Sequence, residues 1–159
     1  SGCLILANHP SLIDAIFLLY MFSDANVVAK QTLFSNPFTM VTARVLNCIP
    51  NRDPSFMMAE CIQRLKAGQN LVLFPEGTRS VPGQPLCFSR GAATIAIRAR
   101  SSCLPVSIRC VPPLLTKTMP WYRIPKKRVS LKERKEKLLV AKNDLNELSR
   151  KTKCIKYIK

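Results

Sequence analysis

Histidine occurs once in the 159 residues, at position 9, within the run Asn8-His9-Pro10-Ser11-Leu12-Ile13-Asp14. Asp14 follows across a loop-to-helix turn, so its carboxylate can reach back to one ring nitrogen. Such a contact fixes the tautomer and leaves the other nitrogen able to take a proton. A lone histidine beside a strand is as readily satisfied by a structural hydrogen bond. A second polar set stands in Phe74-Pro75-Glu76-Gly77-Thr78-Arg79-Ser80. Gly77 permits close backbone approach, and Thr78, Arg79 and Ser80 offer hydrogen bonds suited to a phosphate. An ordinary polar turn with a solvated arginine has the same composition.

Both sets follow short apolar runs that could position them. Residues 3–7 read as a buried strand, after which Ser11 can cap a helix with Leu12, Ala15, Ile16, Leu19 and Tyr20 at helical spacing. A strand over 27–29 follows, then a helix opened by Asn36-Pro37 and running through Phe38, Val41, Val45 and Leu46, then an extended stretch over 49–52. Asp53-Pro54 is an N-cap and first-turn pair for a helix through Phe56, Met57, Cys61 and Leu65 that stops at Gly68. Residues 71–74 form a third apolar run, 89–100 a helix with small Gly91, Ala92, Ala93 and Ala96, and 103–110 a returning strand. This alternation predicts an α/β fold, a mixed and mostly parallel sheet flanked by helices on both faces. In open sheets of this kind ligands bind beyond the carboxyl ends of the strands, where both polar sets would converge.

The ordered pair Asn-His-Pro-Ser-x-x-Asp and, about 60 residues on, Phe-Pro-Glu-Gly-Thr-Arg-Ser resembles the glycerolipid acyltransferase family, which includes lysophosphatidic acid acyltransferases. The family's marks are His-x-x-x-x-Asp and Phe-Pro-Glu-Gly-x-x-Arg/Ser blocks, and the resemblance covers residues 3–112. It implies a glycerolipid acyltransferase-like fold that moves a fatty acyl group from acyl-CoA or acyl carrier protein to the free hydroxyl of 1-acyl-sn-glycerol-3-phosphate or a related lysophospholipid. By the same resemblance His9 would deprotonate that hydroxyl with Asp14 holding the imidazole, while Glu76, Gly77, Thr78 and Arg79 bind the glycerol phosphate. The second block normally carries a Gly before its apolar residue and its Arg. Here Asn47-Cys48-Ile49-Pro50-Asn51-Arg52 lacks the Gly, and Arg52 corresponds to the phosphate-binding basic residue. Leu104-Pro105-Val106 matches the fourth block, beyond which the family continues with another strand. No covalent intermediate or cofactor is implied, and a lone histidine with scattered carboxylates supplies no metal-ligand cluster.

The length and the 47% apolar content suit one core and argue against disorder despite a formal charge of +16. The seven cysteines, none in C-x-x-C spacing and most between apolar residues, read as small buried hydrophobes in a reducing compartment. No run approaches the roughly 18 apolar residues of a membrane span. The opening Ser-Gly-Cys-Leu-Ile-Leu-Ala looks like the inside of a strand, so residues 1–122 are expected to be an N-terminally truncated acyltransferase domain. That stretch holds 11 basic and 5 acidic residues, whereas 123–159 hold 14 and 4, a net of +10. Ser130 with Glu133 forms a capping box ahead of Leu138, Ala141, Leu145 and Leu148, which predicts a basic helical tail. Such a chain is expected to sit peripherally on the cytoplasmic face of a membrane, through basic groups and exposed apolar side chains near the site, with an upstream anchor left open for a longer chain. An inactive acyltransferase fragment is one alternative. A basic nucleic-acid-binding module is another, but the tail lacks the aromatic interleaving of a base-stacking surface, so no nucleic acid is expected as a partner.

Overall fold

The computed structural model describes residues 2–11, 13–22, 24–35, 37–81, 89–118, 125, 128–135 and 139–140. The elements run β1 (Cys3–Ala7), α1 (Asp14–Met21), β2 (Ala25–Lys30), α2 (Thr32–Ser35), α3 (Pro37–Val45), β3 (Ile49–Asn51), α4 (Pro54–Lys66), β4 (Asn70–Leu73), α5 (Gly91–Ala99), β5 (Ser102–Val111), β6 (Ser130–Lys135) and β7 (Leu139–Val140). β1 and residues 71–73 of β4 are apolar runs, as a sheet covered on both faces requires. Leu4, Leu6, Leu71 and Leu73 pack with Cys61 and Leu65 of α4 and with Ala92, Ile95, Ala96 and Ala99 of α5. The alternate residues Ile5, Ala7 and Val72 pack with Leu18 of α1 and with Val106 and Ile108 of β5 on the other side.

Among the described residues the sheet has seven strands, in the order β3-β2-β4-β1-β5-β6, with β7 also pairing β5. The pairs among the first five strands are parallel, and β6 and β7 run antiparallel to β5. This is the mixed, mostly parallel α/β architecture that the alternation of runs predicts. α4 follows the sequence closely: Asp53 is its N-cap, with Oδ2 accepting from the Phe56 N–H at 2.8 Å, and Pro54 occupies the first turn.

Two expectations are corrected. The expected helical tail begins instead with a strand. β6 pairs six residues with β5, from Val106↔Lys135 to Val111↔Ser130, and β7 pairs Leu139 and Val140 with Cys103 and Ser102. Ser130 and Glu133 therefore lie on a strand, and the non-local partner β5 overrides the helix-forming tendency of Lys, Glu and Arg. Residues 138 and 141–159 lie outside the described residues. Ser11 does not cap α1: the helix starts from Ile13 with no side-chain cap, and Ser11 is fully buried. On α1 itself the buried residues are Asp14 and Leu18, whereas Ile16 and Tyr20 are 60% and 83% exposed.

Among the described residues Cys3, Cys48, Cys61, Cys103 and Cys110 are free thiols. Burial pushes the Cys61 and Cys103 thiols up to about 12, far from the thiolate that reacts. Both should therefore resist a thiol-specific reagent at pH 8 in the folded protein and react at the ordinary rate once urea unfolds it. Modification of either before unfolding, located by peptide mass mapping, would contradict the packing described.

Candidate active site

The parallel register places the two polar segments side by side. Leu6 of β1 stands opposite Leu73 of β4, so the chain leaves the two adjacent strands at the same level, through Asn8-His9 on one side and Phe74-Pro75-Glu76 on the other. The two loops then bond to each other. The Ser80 N–H donates to the His9 carbonyl at 2.7 Å, the His9 N–H donates to Glu76 Oε1 at 3.2 Å, and the Ser80 hydroxyl donates to the same oxygen at 2.8 Å. Asn8 ties its loop to β5, with Nδ2 donating to the Ile108 carbonyl at 2.9 Å and Oδ1 accepting from the Ile108 N–H at 2.6 Å. That side chain extends the sheet hydrogen bonding past the last residue of β1.

The imidazole is held from two directions. His9 Nδ1 lies 3.1 Å from Asp14 Oδ2, and Asp14 is fully buried in the first turn of α1. The same carboxylate oxygen accepts from the Ser11 N–H at 2.5 Å, which fixes its position. One face of the ring stacks on Phe74, with centroids 4.2 Å apart and planes 21° from parallel. The His9 side chain keeps 18% of its surface exposed, and Nε2 lies across the ring from the Nδ1 contact that orients it.

A cavity of about 650 Å³ opens beside this ring. His9, Gly77, Thr78 and Arg79 are among its walls, together with two cations that the sequence motifs did not single out, Lys30 at the end of β2 and Lys117 in the segment after β5. Among the described residues no Asp or Glu lines it. Ala15, Ile16 and Leu19 of α1, Leu33 of α2 and Ala43 of α3 make the remainder of the wall largely apolar. A site of this composition is suited to a ligand with both an anionic group and a hydrocarbon chain.

The expected site residues separate into three groups. His9, Gly77, Thr78 and Arg79 face the cavity, and Gly77 has φ +66, the left-handed turn that favours glycine. Asp14 and Glu76 are not walls; each acts on His9, one through the ring and the other through the backbone. Arg52 follows β3 at the surface, is exposed, and is not brought to the cavity with the others, although its neighbour Asn51 is a wall. Asn47, where the family pattern has a glycine, has φ +47, and asparagine is one of the few residues that adopt that conformation readily. Arg64 Nη1 holds the Asn47 carbonyl at 2.9 Å and Asn26 Oδ1 at 2.8 Å. Lys30 was legible only as the residue ending an apolar strand run, and Lys117 carried no signal.

Residues 1–109 match the Acyltransferase family. The chain belongs to that family. As an acyltransferase-family chain it is similar to the 1-acyl-sn-glycerol-3-phosphate acyltransferase of Borreliella burgdorferi, with 28% identity over 114 residues covering 68% of this chain and 46% of that protein. It is also similar to the enzyme of the same name from Pseudomonas aeruginosa, with 32% identity over 111 residues covering 66% of this chain and 43% of that one. The crystal structure of the 1-acyl-sn-glycerophosphate (LPA) acyltransferase PlsC from Thermotoga maritima superposes with a TM-score of 0.70 at 25% identity, covering 98% of this chain and 63% of that chain. The chain thus spans less than half the length of these two curated relatives.

If Glu76 serves as a hydrogen-bond acceptor for the two loops, Glu76→Gln should stay close to the parent in stability, because an amide oxygen can still accept. Glu76→Ala should lose about 1 kcal/mol or more, the cost of leaving two half-buried donors without their acceptor. Urea unfolding of the two variants checks this, and equal losses would show that the charge matters instead of the bonds.

Proposed function

We propose that this chain carries the acyl-transfer site of an enzyme that moves a fatty acyl group from a thioester, acyl-CoA or acyl carrier protein, to the free hydroxyl of 1-acyl-sn-glycerol-3-phosphate or a related lysophospholipid. The observation that carries this reading is a single cavity that holds an Asp-oriented histidine and, among the described residues, three cations with no carboxylate and an apolar remainder. A lysophosphatidate has matching parts: a hydroxyl, a phosphate monoester and an acyl chain. The names of the similar proteins support the same class of acceptor.

In the proposed mechanism His9 Nε2 takes the proton of the acceptor hydroxyl as its oxygen attacks the thioester carbonyl. Asp14 Oδ2 holds Nδ1–H and stabilises the imidazolium that forms. The tetrahedral adduct collapses with cleavage of the carbon–sulfur bond, and the proton on Nε2 goes to the leaving thiolate. Base, acceptor and donor meet in one step, so no acyl-enzyme forms. The thiols fit this role division, since burial raises every described cysteine above its ordinary range. Lys30, Thr78 and Arg79 supply charge and hydrogen bonds for the phosphate, while Glu76 positions His9 and keeps its own charge out of the cavity wall.

Among the described residues no helix is long and apolar enough to cross a membrane. Lipid access is proposed to occur at the α1–α2–α3 side. Ile16 and Leu33 line the cavity and are also 60% and 41% exposed, and Tyr20, Val41 and Val45 are exposed on the same helices. This face would rest on the bilayer peripherally. Arg109, Lys132 and Arg134, exposed on paired strands β5 and β6, would favour an anionic leaflet.

His9→Ala should lower acyl transfer by about 10²–10⁴-fold, the usual worth of a general base, with the fold intact. Asp14→Asn should also be severe, because the ring would lose its ionic partner. The assay is mass-spectrometric detection of acylated product over a panel of lysophospholipids, with circular dichroism as the folding control. Parental turnover in a folded His9→Ala variant would overturn the reading, and no product from any acceptor with the parent chain would favour an inactive fragment.

A further inference from the structure

The segment after β5 is pinned to the site by Arg79. Arg79 Nη1 donates to the carbonyls of Leu115 at 2.8 Å and Thr116 at 3.1 Å, and Thr116 is only 4% exposed. Leu115 takes a left-handed conformation with φ +48, so the backbone turns sharply where the guanidinium grips it. The next residue, Lys117, is exposed to solvent and is a wall of the cavity shared with His9. A guanidinium with one nitrogen committed to two carbonyls has less left for a ligand than its place in the sequence suggests. The Lys117 ammonium is a compact charge with three donors, and among the described residues no carboxylate of the cavity walls neutralises it.

We propose that Lys117 is a phosphate-binding residue of this site and that Arg79 is in part a positioning residue, holding residues 115–116 so that Lys117 faces the cavity. The ligand chemistry is a phosphate monoester. Within the function proposed above, on which this inference rests, it is the headgroup of the acceptor; the phosphates of a CoA donor share the chemistry and are separated by the test.

The test is equilibrium binding, which needs no turnover. Glycerol 3-phosphate and CoA are titrated separately into the full chain and into Lys117→Gln, Lys117→Arg, Arg79→Ala and the double variant Arg79→Ala/Lys117→Gln. Lys117→Gln should weaken glycerol 3-phosphate by about tenfold or more, the effect of losing one charge-assisted hydrogen bond, and leave CoA unchanged. Lys117→Arg should restore most of the affinity. If Arg79 acts through Lys117, the double variant should bind no more weakly than Arg79→Ala alone, since residues acting as a unit are not additive. Unchanged glycerol 3-phosphate affinity in Lys117→Gln, weakening of CoA alone, or fully multiplicative losses in the double variant would each overturn the proposal. Should Arg79→Ala fail to fold, the two Lys117 variants still decide the phosphate assignment. Failure of the acyltransferase reading would show separately, as absence of product while the Lys117 effect on glycerol 3-phosphate persists.

Discussion

The parallel pairing of β1 with β4 is the constraint on which the site depends. Nothing local brings His9 near Glu76, 67 residues later; they meet because Leu4, Ile5 and Leu6 stand opposite Leu71, Val72 and Leu73. A one-residue slip would send Leu4 and Leu6 to the wrong face. Both faces are filled, by α4 and α5 on one side and by α1 on the other, so the packing that stabilises the sheet also fixes where its two loops emerge. The hydrogen bonds between those loops then refine a position that the core has already set.

The two acidic residues of the motifs divide the work of holding one histidine. Asp14 is buried in the first turn of α1 and orients the ring; Glu76 takes the backbone N–H and leaves the ring alone. Neither carboxylate faces the cavity, so both can serve His9 without repelling an anion bound beside it. The cations come instead from three separate places: the end of β2, the loop after β4 and the segment after β5. In the proposed complex, substrate charge would be met by groups whose spacing along the chain is 49 and 38 residues, from Lys30 to Arg79 and from Arg79 to Lys117.

Much of this was legible in the sequence, for identifiable reasons. The Asp53-Pro54 start and Gly68 stop of α4 are local chemistry, and the apolar runs of β1 and β4 carry the sheet's two-sided burial in their composition. His9, Asp14 and residues 74–80 announced themselves by type and order. What was misread depended on partners far along the chain. Ser130–Lys135 has the composition of a helix and becomes a strand because β5 offers an open edge. α1 has helical periodicity, but periodicity cannot tell a core-facing residue from one facing a cavity or the surface, and Ile16 and Tyr20 are exposed. The resemblance implied phosphate binding by Glu76; its hydrogen bond to the other loop's backbone leaves no mark in the local sequence. Lys117 followed Pro112-Pro113, where periodicity had faded, and its place at the cavity comes from the Arg79 contacts with Leu115 and Thr116.

The proposed chemistry rests on Asp14 holding His9 as the Nδ1–H tautomer, with Nε2 free to act as a base. Because His9 is the only histidine in the chain, one ¹⁵N-labelled sample reports it without assignment ambiguity. At a pH where the ring is neutral, long-range ¹H–¹⁵N correlation spectra should show a protonated Nδ1 and a bare Nε2, and Asp14→Asn should disturb that tautomer preference while leaving the backbone spectrum folded. A neutral ring protonated on Nε2, or a tautomer unaffected by Asp14→Asn, would contradict it.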